Sequence, residues 1–173
     1  MRNKSKYARW RVHSADMRAT IGISANWCQW TGPCRPAGVE CRGIPPVERM
    51  LDILDCAWAA RIKAHPHRSI PELRKDFFAA PSQSVARRPW STGINTLVST
   101  SILYSFELDS LISGHDLHLL HGFPHRDSYE HFSNTQMTQL VGESFFLPTC
   151  AAVVYAFYLN PHAPWWRDPH ALA

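Results

Sequence analysis

At 173 residues with 45% hydrophobic content, the chain is long enough to build one ordinary domain with a real core, and 13 Pro with 18% charged residues make it loop-rich. No apolar run reaches the ~18 residues that crossing a bilayer requires, so no membrane partner is expected. Five cysteines (28, 34, 41, 56 and 150), an odd number without a visible secretory leader, imply reduced thiols in a cytosolic or nuclear setting.

The net charge of +4 hides an asymmetry, because residues 1–99 hold 16 of the 18 Lys and Arg and residues 100–173 hold 7 of the 10 His. The first twenty residues contain Arg2, Lys4, Lys6, Arg9, Arg11 and Arg18 against one acid, Asp16. This stretch reads as a disordered, solvated basic arm that can touch phosphate; the same composition also describes an organelle transit segment. Residues 24–46 are rich in Trp, Cys, Gly and Pro without periodicity, so the whole of 1–46 is expected to be irregular or disordered.

Val47 to Ala64 reads as an amphipathic helix. Pro46 suits its first turn, Glu48 lies near its start and Lys63 near its end. Met50, Leu51, Leu54, Ala57, Trp58 and Ile62 recur at helical spacing. A shorter helix is expected over Pro71–Ala79. Pro81–Ser84 and Arg87-Arg88-Pro89 look like a linker, which closes a segment 47–90. The last segment, 91–173, opens with a β-rich stretch, Leu97–Phe106, whose Val98, Thr100, Ile102, Tyr104 and Phe106 alternate as in a strand.

Two further stretches carry most of the information. In Ile112-Ser113-Gly114-His115-Asp116-Leu117-His118-Leu119-Leu120-His121-Gly122-Phe123-Pro124, Ser113 is a helix N-cap that Asp116 can complete as a capping box. Gly122 is placed as the left-handed residue after the helix, and Pro124 prevents its resumption. Gln139-Leu140-Val141-Gly142-Glu143-Ser144-Phe145-Phe146-Leu147-Pro148 leads into a final helix, Thr149–Leu159, stopped by Asn160-Pro161. A glycine followed by a hydroxyl residue lets backbone approach a ligand or a neighbouring strand closely.

In this order the two stretches resemble the last two conserved motifs of the cytosine-C5 DNA methyltransferases. That family has a strand, then Leu-Thr-x-Arg-Glu-x-x-Arg-Leu-Gln-Gly-Phe-Pro, then Gln-x-x-Gly-Asn-Ser/Ala, a Pro and a last helix. Ile112 and Ser113 stand for Leu-Thr, Asp116 for Glu and Leu120 for Leu, while Gly122-Phe123-Pro124 are identical. Gln139, Gly142, Ser144 and Pro148 match the second motif, and Thr100–Phe106 resembles the strand. The resemblance covers roughly a third of the chain.

The resemblance implies an α/β fold of mixed α+β character: a helix-rich C-terminal piece of a Rossmann-like S-adenosylmethionine-dependent methyltransferase, with few strands and long loops. It also implies that Gly142, Glu143 and Ser144 lie where the cofactor S-adenosylmethionine is contacted, with DNA and a complementary catalytic half as partners and a nuclear location. The departures are specific. His115 and Leu119 replace both arginines of the helix motif, His121 replaces Gln, and Glu143 replaces Asn. A carboxylate at 143 can accept hydrogen bonds from amino or hydroxyl groups but repels the cofactor carboxylate.

No catalytic residue is assigned. The family's chemistry needs a thiolate in Pro-Cys-Gln, a Glu in Glu-Asn-Val and a glycine-rich cofactor loop. Neither of the last two occurs in the sequence. Pro33-Cys34-Arg35 lacks the Gln and leaves no room for the catalytic core before the closing motifs. The expectation is a methyltransferase-like fragment, a split piece or an incomplete gene product, that does not methylate by itself. The alternative is a non-enzymatic nucleic-acid or protein interaction module using the basic residues 1–20 and 87–88.

No metal is assigned either. Cys28, Cys34 and Cys41 with His13, His65 or His67 lack the close pairs of structural zinc sites. His115, His118 and His121 share a helical face and read as a polar surface stripe. Trp165-Trp166 is expected to pin the C-terminal tail.

Overall fold

The computed structural model describes residues 2–32, 47–94, 102–124, 129–144 and 147–158. They form two compact units, divided between Ile112 and Ser113. That boundary falls well after the one expected at 90/91. The reason is that the stretch read as a linker connects two paired strands of the first unit, Phe77–Ala79 and Trp90–Thr92.

The first unit is of α+β type. It contains α1 (Arg2–Ile21), α2 (Glu48–Ala64), α3 (Ile70–Arg74), β1 (Phe77–Ala79), a 3-10 turn (Val85–Arg87), β2 (Trp90–Thr92), β3 (Tyr104–Ser105) and β4 (Ser110–Leu111). The strands form one antiparallel sheet in the order β2-β1-β3-β4, with Ala79 opposite both Trp90 and Tyr104.

α1 corrects the expectation of an irregular basic arm. Trp10, Ser14, Met17 and Ile21 recur at alternating four- and three-residue spacing, and the last three are buried. That stripe anchors the helix through a second core of Ile53, Cys56, Ala59 and Val85. Arg18 fixes the register, because its Nε and Nη2 both meet Asp52 Oδ1, at 2.8 and 2.7 Å. Its Nη1 donates to the carbonyls of Ser24 and Trp27.

The main core is aromatic. Phe106 packs against the rings of Trp30, Phe77 and Tyr104 at 4.7 to 5.2 Å between centroids, with Trp58 alongside. Trp30 arrives from the turn after α1, and Asp55 holds it there by accepting from the backbone N–H of Trp30 and Thr31 at 2.9 and 3.0 Å. Inside the core, Trp30 Nε1 donates to the Tyr104 hydroxyl at 3.0 Å, which in turn donates to Asp109.

α2 matches its expected extent. The second expected helix is shorter, ending at Arg74. Ser69 and Glu72 cap its start, and Asp76, at φ 52°, turns the chain into β1. Of the expected strand 97–106, residues 97–101 lie outside the described residues, and the described part pairs only at Tyr104–Ser105.

The second unit contains α4 (Gly114–Leu120), α5 (Asn134–Glu143) and α6 (Leu147–Tyr158). Residues 134–156 pass for a membrane span by length and composition, an 18-residue window within them reaching a mean hydropathy of 1.3. They form two helices, however, parted at Ser144, whose backbone is extended (φ −92°, ψ 161°).

Candidate functional site

α4 begins and ends as its residues dictate. Ser113 Oγ accepts from the Asp116 N–H at 3.0 Å, and Asp116 reaches back to the Ser113 N–H at 3.3 Å, which closes the capping box. At the other end Gly122 adopts φ 84°. Its N–H reaches the Leu119 carbonyl at 2.9 Å, and the Phe123 N–H reaches His118 O at 3.3 Å. This pair of bonds is a Schellman motif, and the apolar contact that accompanies it is the Phe123 ring stacked on His118 at 4.8 Å.

α5 lies directly against α4. Ser133 and Gln136 form its capping box, and Met137 and Val141 turn inward. Gly114 permits the approach. A Cβ at that position would lie 2.4 Å from Asn134 O and 2.6 Å from Thr138 N, and the Gly114 N–H donates to Asn134 Oδ1. A helix therefore begins between the two motifs, before Gln139. The Ser-x-x-Gln at 133–136 was its signal.

The three histidines do not form a free polar stripe. His115 Nε2 lies 3.2 Å from the Phe132 carbonyl; that oxygen can only accept, so this nitrogen carries the proton. His118 is buried between Phe123 and Tyr129, the latter edge-on at 4.6 Å. His121 Nδ1 lies 3.2 Å from Ser144 Oγ. Burial first, then the charges of His115 and His121, push the His118 pKa down, and burial lowers that of His121. Each ring ties α4 to a different segment.

Gly142, Glu143 and Ser144 come together at the C-terminal end of α5. Gly142 stands in the last helical turn rather than in an open loop. Glu143 is exposed, with Gln139 Nε2 3.5 Å from its Oε1, and Ser144 caps the helix, donating its hydroxyl to Val141 O at 2.8 Å. A helix C-terminus carries partial negative charge, and Glu143 adds to it. The segment therefore suits a cationic or hydrogen-bond-donating part of a ligand. The sulfonium and amino groups of S-adenosylmethionine fit this polarity; its carboxylate does not.

Among the cysteines, Cys34 and Cys41 lie outside the described residues, as do Trp165 and Trp166. Cys56 is buried in the core, and burial, reinforced by Asp52, pushes its thiol up to about 12, which leaves no thiolate at neutral pH. Cys28 is exposed, and among the described residues no group of three His, Cys, Asp or Glu is placed to hold a metal. His65 instead lies 3.3 Å from Arg61 Nη1. No family model matches the chain, and neither a characterised protein nor a solved structure matches it.

Proposed function

We propose that this chain is a cytosine-C5 DNA methyltransferase-like fragment. In this reading it contributes the closing segment of an S-adenosylmethionine site and the last helix of a Rossmann-like domain, while the nucleophile and cofactor loop come from a catalytic half that these 173 residues do not carry. The observation that supports it best is the packing of α4 on α5. Two motifs that build one site in the family are expected to meet. Here the Gly122-Phe123 turn and the Gly142–Ser144 segment belong to one unit, joined by His121 and Ser144. α6 adds weight: its Val153, Val154 and Tyr155 are 63%, 50% and 66% exposed, the surface expected of a helix whose sheet lies elsewhere.

In this role Gly142, Glu143 and Ser144 bind and orient the donor part of the cofactor, which when bound supplies the methyl group. The chain acts on DNA in the nucleus, and only with its complementary half. Purified chain given S-adenosylmethionine and duplex DNA is expected to show no methyl transfer. Robust turnover without a partner would overturn the claim that it is incomplete.

A second reading, a nucleic-acid interaction module, is favoured by one observation. The 3-10 turn packs on α1, so Arg87 and Arg88 belong to the same body as the exposed Arg9 and Arg11. Arg88 and Lys63 line a hollow of about 290 Å³ with Thr20 and Ile21. A gel shift that weakens with salt and disappears on Arg9, Arg11, Arg87 and Arg88→Ala would support this reading. Absence of binding to any polyanion would remove it.

A further inference from the structure

Ser144 has a single hydroxyl proton, and the shorter of its two contacts, 2.8 Å to Val141 O, places it there. The 3.2 Å contact with His121 Nδ1 then works only if the ring nitrogen donates and the hydroxyl oxygen accepts. With the hydroxyl proton on Val141 O, the contact favours the Nδ1–H tautomer of neutral His121.

Three bonds converge on the break between α5 and α6: the Ser144 N–H to Val141 O at 3.1 Å, the Ser144 hydroxyl to the same oxygen, and the imidazole to Ser144 Oγ. On the α4 side, His121 is the C-cap residue, immediately before Gly122. The ring thus connects the fixed end of one helix to the fixed end of the next, 23 residues further along the chain.

We propose that His121 is a positioning residue that clasps Ser144 and thereby sets the geometry of the Gly142-Glu143-Ser144 segment. What that segment binds rests on the methyltransferase reading; the clasp does not. The methyltransferase motif places Gln where this chain has His121, and a Gln amide is also an N–H donor. Donation, rather than titration or metal binding, is the property that this position supplies.

The test is made on the full chain by nitrogen-15 NMR. His121 is expected as the Nδ1–H tautomer when neutral. His121→Ala is expected to shift the Gly142, Glu143 and Ser144 amide signals and to speed exchange of the Ser144 amide about fivefold to tenfold, the loss of one hydrogen bond. The His118 and Phe123 signals should stay in place, and His121→Gln should restore the wild-type positions. Segment signals indifferent to His121→Ala overturn the clasp, and an Nε2–H tautomer overturns the donation from His121. If the clasp holds and S-adenosylmethionine with a catalytic half leaves residues 142–144 unmoved, the methyltransferase reading falls instead.

Discussion

Residues up to Ile112 and residues from Ser113 onward meet the need to bury apolar surface in different ways. The first unit closes an aromatic core, in which Trp30, Trp58, Tyr104 and Phe106 are at most 1% exposed, and seals it with an antiparallel sheet. Among its described residues the second buries little beyond Gly114, Leu117, His118, Met137 and Val141, and fixes its helices by caps and side-chain hydrogen bonds. One is held by volume and the other by directional contacts. Volume tolerates a changed charge poorly but a changed surface well. Directional contacts make the second unit sensitive to single atoms, which suits a segment that must present a defined edge to something else.

The largest test of this contrast removes volume. Phe106→Ala takes away a ring that touches four others and is expected to cost about 3–5 kcal/mol in a denaturant melt. Tyr155→Ala, an equally large truncation at a 66% exposed site, should change stability by no more than about 0.5 kcal/mol. Comparable losses from the two would show that α6 is buried in the free chain.

Gly114→Ala comes next. On helix propensity alone, alanine should stabilise by about 1 kcal/mol. The new Cβ would meet Asn134 O at 2.4 Å and Thr138 N at 2.6 Å, both backbone atoms, so the expected result is a loss of about 3 kcal/mol. Faster amide exchange across residues 114–143 would be the readout. A stabilised variant would mean that α4 and α5 are not closely packed.

How much of this was legible depended on whether a local signal existed. α2 could be read from its apolar periodicity, and α4 from Ser113, Asp116 and Gly122, because caps are local chemistry. α1 was missed because only Ser14, Met17 and Ile21, with the half-buried Trp10, form its inward stripe, amid exposed cations that look like a tail. The sheet was missed because its strands are two or three residues long and are defined by partners rather than by alternation. Gly142, Glu143 and Ser144 were found as a motif. Their place in the last turn and cap of α5 was not, since that depends on Ser133 and Gln136 being taken as a helix start. No pattern in the chain connects His121 to Ser144; only the fold brings them together.

A smaller effect concerns Asp55. Burial raises its pKa, against the pull of the Thr31 and Trp30 hydrogen bonds. A carboxyl raised in the folded state stabilises the fold at low pH, and that contribution fades as pH rises through the folded value. Asp55→Asn keeps an acceptor for both backbone N–H groups without the buried charge. At pH 7 it is expected to match or exceed the wild type, an advantage that shrinks in acid. Asp55→Ala leaves those donors unpaired and should cost about 1–3 kcal/mol. If Asn were as damaging as Ala, the charge itself would be what holds the turn at Trp30.

The second unit should respond to acid in the opposite sense. His118 and His121 are both lowered, chiefly by burial. Unfolded histidine takes up its proton near the ordinary value of about 6.5, whereas these two resist it in the folded state. Stability from the neutral rings is therefore fully present above about pH 6.5 and is lost as pH falls through the lower folded values. The Nδ1–H of His121 survives protonation, so its bond to Ser144 does not break. The cost arises from charging rings packed near one another and, for His118, against Phe123 and Tyr129. Amide exchange at pH 7.5 and pH 5 is expected to accelerate across residues 114–143 on acidification, with little change around Trp58. His118→Phe should reduce that difference while keeping the stack on Phe123. Acid sensitivity that persisted undiminished in His118→Phe would shift the effect onto His121, and the buried ring would no longer distinguish this unit from the first.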